Sequence, residues 1–177
     1  MSAMHDSGRE VSISQREFMV TKSDLNGDLI YANRAFMQIN GYPESELLGK
    51  PLGMFHHPDM PKGIFQLLSA SLDAERECFL YLKNRTREGD FYWAYTIVNI
   101  IRDDSGRAKS HLSVLRRPSP ASIGKIARLY GEMRRIEGGN GSAGSPKASL
   151  QWLMEYVDGK GHSYDSFIHT LTDGAPV

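Results

Sequence analysis

The sequence predicts an α+β domain: a five-stranded antiparallel sheet with short helices on one face, followed by a C-terminal helical extension. Two observations carry this. Strand-like runs are joined by tight turns: Phe18-Met19-Val20-Thr21 and Leu29-Ile30-Tyr31-Ala32 around Asn26-Gly27, then residues 77–85, 91–101 and 108–116 around Arg87-Glu88-Gly89-Asp90 and Asp103-Asp104-Ser105-Gly106. Turns this short join antiparallel neighbours. Helical spacing lies between the first two strands and the last three, and again after Pro118.

In chain order, residues 1–16 are polar and Ser-rich and are expected to form a mobile arm. After the first two strands, Asn33 opens a helix that carries Phe36, Met37 and Asn40 and closes at Gly41. A second short helix runs from Pro43 to Gly49, with Pro at its start and acids in its first turn. Ile64, Leu67, Leu68, Ser71 and Leu72 place a third helix over residues 60–73. Asp59 has the chemistry to cap that helix, with Pro61 just inside it.

The next strand alternates, with Cys78, Leu80, Leu82 and Asn84 on one face and Phe79, Tyr81, Lys83 and Arg85 on the other. The long strand after it is largely apolar on both faces: Phe91, Trp93, Tyr95, Ile97 and Asn99 against Tyr92, Ala94, Thr96, Val98 and Ile100. Helices cover only one face of a sheet, so something else must cover the second. The chain's own termini and a partner subunit are equally good candidates. Beyond Pro120, an amphipathic helix carries Ile123, Ile126, Tyr130 and Met133. Residues 138–147 read as a flexible Gly/Ser-rich linker, and residues 148–177 as a helical tail.

Hydrophobic residues make up 40% of the 177 and charged residues 24%, which fits one globular domain with an appendage. Lys plus Arg and Asp plus Glu both number 21, and no basic stripe is present, so nucleic acid is not an expected partner. The single cysteine, Cys78, allows no internal disulfide. Neither a secretory leader nor a membrane span is read, so a cytoplasmic location is expected. No nucleophile–base pair, phosphate-binding Gly loop or carboxylate pair argues for an enzyme.

Met54-Phe55-His56-His57-Pro58-Asp59-Met60-Pro61 concentrates two imidazoles and a carboxylate in one turn. That turn either presents His56, His57 and Asp59 to a ligand or is simply a rigid helix entry. The decision comes from a wider pattern. Tyr31-Ala32-Asn33, Gly41-Tyr42, His57-Pro58-Asp59-Met60-Pro61-Lys62, Lys83-Asn84-Arg85 and Gly89-Asp90-x-Tyr92-Trp93 occur in that order. Over residues 17–118 they resemble the PAS domain of bacterial aerotaxis receptors, and the helix after Pro120 is also similar to the segment that follows it there. The resemblance implies a PAS fold, an FAD cofactor whose redox state is the signal, and ligand contacts from Asn33, His57, Asp59, Asn84 and Tyr92. It departs at His56, where the family has an Arg, and at Cys78, where it has a Trp beside the flavin; both are kept as candidate cofactor contacts.

The expected organisation is therefore an arm over 1–16, a PAS sensor domain over 17–118, a helix over 119–137, a linker over 138–147 and a helical tail over 148–177. The expected function is a sensor of redox or oxygen status that self-associates as a homodimer and signals to another protein, because no segment reads as the membrane anchor or coiled coil of those receptors. Haem through His56 or His57, an apolar metabolite, and a ligand-free dimerisation module are the alternatives.

Overall fold

The structure is a computed structural model and describes residues 7–138 and 145–172. Strand β1 (Met19–Ser23) pairs with β2 (Leu29–Ala32), and the chain then crosses one face of the sheet. That crossing contains α1 (Arg34–Asn40), α2 (Glu44–Leu47), a 3₁₀ turn (Leu52–Phe55) and α3 (Lys62–Asp73). Strands β3 (Cys78–Arg85), β4 (Phe91–Arg102) and β5 (Ala108–Arg116) complete an antiparallel sheet in the order β2-β1-β5-β4-β3. Helices α4 (Pro120–Glu137), α5 (Pro146–Asp158) and α6 (Tyr164–Thr172) follow. Among the described residues, no helix is long and apolar enough to cross a membrane.

Local chemistry explains the boundaries of three helices. Asn33 caps α1, accepting from Phe36 N at 3.1 Å, and Gly41 ends it in the left-handed region at φ 74°. Ser119 and Ser145 cap α4 and α5, each with a proline in the first turn. Helix α5 thus starts inside the expected linker; residues 139–144 of that segment lie outside the described residues.

Two expectations are corrected. Asp59 does not cap α3; Pro61 takes that position and has no capping side chain. The exposed amides at the start of α3 are satisfied from across the molecule. Glu137, the last residue of α4, accepts from Lys62 N at 2.9 Å and from Gly63 N at 2.8 Å. The arm expected over residues 1–16 is not free in its described part. Val11 N donates to Phe91 O at 2.8 Å, Arg9 pairs with Asp90, and Ile13 is buried in the core. Backbone pairing with the start of β4 outweighs the polar composition of this segment.

The second face of the sheet is covered by the chain itself over β3 and β4. Tyr130 on α4 donates to Tyr81 O at 2.8 Å and its ring lies 6.1 Å from that of Trp93. Tyr164 on α6 donates to Phe79 O at 3.0 Å. Ile126, Met133, Leu153, Val157 and Ile168 complete this second core. The apolar face that argued for a partner subunit is thus used internally. Trp93→Glu, which sets a carboxylate against Tyr130, is expected to cost about 2 kcal/mol. A urea midpoint equal to that of wild type would show that the C-terminal helices do not seat there.

Candidate functional site

The helices of the crossing do not close fully onto the sheet. Between them lies a cavity of about 640 Å³, within the size range of small-molecule sites. Phe36 of α1, Leu52 and Phe55 of the 3₁₀ turn, and Phe65, Leu68 and Leu72 of α3 form one wall. The inner face of the sheet forms the other, through Thr21, Leu80, Leu82, Asn84, Thr96, Val98, Ser113 and Leu115. Strand alternation puts these side chains on one face, and the pairs Leu80↔Thr96 and Thr21↔Ser113 set them side by side.

Three polar groups in this apolar wall are buried without a partner: Asn84 Oδ1 and the hydroxyls of Thr21 and Thr96. Their residues are 3%, 1% and 1% exposed. A buried polar atom left unpaired costs roughly 1–3 kcal/mol, so each is a standing demand for a ligand group. The Asn84 orientation follows from its network. Its Nδ2 donates to Tyr92 Oη at 3.4 Å, Tyr92 Oη donates to Asn40 Oδ1 at 3.2 Å, and Asn40 Nδ2 donates to Phe36 O at 2.9 Å. With the amide nitrogen committed, Oδ1 is the atom available to the cavity. Burial raises the Tyr92 phenol to about 12, so it stays a donor at neutral pH.

The other candidates fall into place around this network. His56 lines the cavity, its ring stacked on Phe65 at 4.1 Å. His57 is turned away: its Nδ1 accepts from Asp59 N at 3.1 Å, its backbone N donates to Lys83 O at 3.0 Å, and it does not line the cavity. Asp59 accepts from Lys83 Nζ at 2.8 Å and pairs with Arg134 of α4 at 3.0 Å. The Lys83 hydrogen bond chiefly holds its carboxyl below the usual range. Asn33 is spent on its cap and on β1, accepting from Val20 N at 3.0 Å and donating to Phe18 O at 2.8 Å. Cys78 is buried outside the cavity lining, and burial pushes its thiol up to about 11, with Ser71 opposing. The turn residues therefore serve two sides: His56 faces the cavity while His57 and Asp59 tie β3 to α4.

Thr21, Thr96, His111 and Asp73 also line the cavity and were not singled out from the sequence. Thr96 was detectable, as a polar residue between Ala94 and Val98 on an apolar face. Thr21 and His111 carry no such signal, because the crossover order of the sheet brings them there.

Burial lowers the pKa of His56 to about 4 and lowers that of His111 as well. Between the ordinary histidine value and about 4, the unfolded chain binds more protons than the folded one. Stability therefore falls as pH drops through that window, by about 2 kcal/mol for half-buried His56. Asp59 contributes separately, below the ordinary carboxylate value. Thermal melts from pH 7.5 to 4 are expected to show this fall and to flatten in His56→Phe; an unchanged slope would mean that His56 titrates as if exposed.

The family described as the PAS fold matches residues 29–115. Those residues have the PAS fold. The chain is 32% identical over 113 residues to the aerotaxis receptor of Escherichia coli K12, covering 63% of this chain and 22% of the receptor. It is 21% identical over 127 residues to a blue-light-activated histidine kinase of Brucella anthropi, covering 71% of this chain and 26% of the kinase. The chain thus spans about a quarter of the length of these two relatives. Among solved structures, it is similar to one described as a flavin-analogue study of the light-oxygen-voltage domain mechanism. That match has a TM-score of 0.55 and 22% identity, and covers 68% of this chain and 89% of the other. The light-oxygen-voltage domain of Aureochrome1 gives a TM-score of 0.54 at 20% identity, covering 67% of this chain and 86% of the other. At these identities the two structures establish the fold alone.

The PAS cavity fits part of the FAD that the resemblance implies. An isoalloxazine ring is flat, apolar on its faces and edged with donors and acceptors, which suits Asn84 Oδ1, the two threonine hydroxyls and the Phe and Leu walls. The phosphate-bearing tail meets no lysine or arginine among the lining residues. The haem alternative finds no support: His57 is held in its turn and His56 lies flat against Phe65. No three His, Cys, Asp or Glu among the described residues gather to hold a metal ion.

Proposed function

We propose that this PAS domain is a sensor module that holds a flavin ring in the cavity and passes its redox state to the C-terminal helices, and through them to another protein. The observation that carries this reading is the unpartnered Asn84 Oδ1, oriented by Tyr92 and Asn40 toward an apolar cavity beside Thr21 and Thr96. The aerotaxis receptor and blue-light-activated kinase among its relatives support a signalling role of this kind.

A bound flavin supplies electron transfer with a change of charge and protonation on the ring. The rest belongs to this chain. Asn84 presents an acceptor whose strength depends on the Tyr92–Asn40 chain behind it. Its neighbour Lys83 reaches Asp59, and Asp59 reaches Arg134 of α4. Phe65 and Leu68 of α3 line the cavity, while the start of α3 is held by Glu137 of α4. Two connections thus run from the cavity to the same helix. A ligand shifts this arrangement only by its differential affinity for two states.

The first experiment is an absorption spectrum of the purified protein, repeated after incubation with FAD, FMN and riboflavin. A flavin band pair that bleaches on reduction, with a change in protease sensitivity of residues 119–172, supports the reading. A protein that stays colourless with all three excludes it and leaves an apolar-metabolite sensor or interaction module. Self-association and a cytoplasmic location belong to the same proposal and are read from sedimentation and fractionation.

A further inference from the structure

Among the described residues, those lining the cavity include two carboxylates at the rim and no lysine or arginine. Of the lining residues, Asp73 and Glu75 at the end of α3 are exposed, and no lysine or arginine lines the cavity from floor to rim. The backbone of Glu75 is left-handed at φ 51°, and its amide donates to Leu72 O at 2.9 Å, which fixes its place at the mouth. The cation beside it, Arg102, is committed to Glu75 itself and to Gly106 O at 3.0 Å. Asp73 makes no ion pair among the described residues.

The other sources of positive potential are also spent. His56 and His111 are neutral at pH 7, since burial lowers both. The amides that open α3 are capped by Glu137. In the β1–β2 turn at the rim, Asn26 N donates to Asp24 Oδ1 at 2.9 Å and Gly27 N donates to Asp24 O at 3.1 Å. Phosphate groups are held by Arg, Lys or open helix amides, and this mouth offers none of the three. The floor is different: it asks for a hydrogen-bonding ring through Asn84, Thr21 and Thr96, each more than nine-tenths buried.

We propose that the cavity selects a flavin ring without a phosphate tail, so that riboflavin is preferred over FMN and FAD. This inference rests on the flavin reading above and deepens it. The ring satisfies the floor, an uncharged polyol tail passes the rim, and a dianionic tail is repelled by Asp73 and finds no counter-charge. Repulsion of this kind at a partly solvated rim is expected to be worth about tenfold in affinity and to shrink as salt screens it.

The test is a fluorescence-quenching titration of the full chain with riboflavin, FMN and FAD, each at low salt and at about 0.5 M salt. The expected result is riboflavin binding about tenfold more tightly than FMN or FAD at low salt, with the gap narrowing at high salt. Asp73→Lys, on an exposed helix end, is expected to bring FMN to within about threefold of riboflavin. FMN or FAD binding as tightly as riboflavin, or an Asp73→Lys variant with an unchanged gap, overturns the inference while the flavin reading stands. Binding of none of the three overturns the flavin reading, and this inference with it.

Discussion

Gly63→Val is expected to unseat the C-terminal helices from the PAS domain. Gly63 lies in the first turn of α3 and is buried. A Cβ there would lie 2.9 Å from Pro146 O and 3.0 Å from Met133 Cε, and would press on Ser149 Oγ. Pro146 O is backbone at the start of α5, so it moves only if the helix moves. Ser149 also donates to Glu137 Oε1 at 2.6 Å, the carboxylate that caps α3. One steric change therefore strikes the contact and the cap together. The expected loss is about 3 kcal/mol, read as a lowered urea midpoint with early exposure of residues 146–172 to protease. Glu137→Gln, which keeps the shape and removes the charge, is expected to cost about 1 kcal/mol. A Gly63→Val protein with wild-type stability would mean that α3 and α5 do not pack as described. If α4–α6 carry the output, the same variant also uncouples flavin reduction from protease sensitivity.

Asn84→Leu is expected to separate binding from folding. Leucine keeps the branched skeleton of asparagine, has the cavity beside it to take up its larger volume, and meets Leu82 and Leu80 on its own face of β3. Removing an unpartnered buried acceptor relieves a cost, so stability should stay within about 1 kcal/mol of wild type or rise. Affinity for the ring should fall about thirtyfold, because a site built to hydrogen-bond a polar edge loses that bond in a water-poor cavity. Tyr92→Phe should fall between the two: it leaves the Asn84 acceptor in place but removes the hydroxyl that orients it. Flavin titrations and thermal melts on the same preparations check both quantities. Equal affinity in wild type, Asn84→Leu and Tyr92→Phe would remove the assignment of the cavity floor.

Residues close in sequence account for what could be read early. Alternation along residues 78–85 sorted Asn84 with Leu80 and Leu82, and the cavity uses that face. Asn33 and Gly41 bounded α1 because capping and left-handed turns involve neighbours a few residues apart. The same local reading misplaces Asp59: it stands three residues before α3, but Lys83 and Arg134, distant in sequence, outcompete the capping role.

The sequence by itself determined the strand and helix order, the antiparallel pairing of the hairpins, the PAS resemblance and two cavity residues, Asn84 and His56. Each depends on periodicity, turn chemistry or a short ordered motif. Only the tertiary structure decided that α4 and α6 cover the second face of the sheet, that Glu137 caps a helix 74 residues away, and that Thr21 and Thr96 share a floor. It also decided that His57 and Asp59 turn away from the cavity and that, among the described residues, no lysine or arginine lines it. These are contacts between segments whose spacing the chain does not encode locally. They are settled by which apolar faces bury one another and which buried polar atoms then find partners.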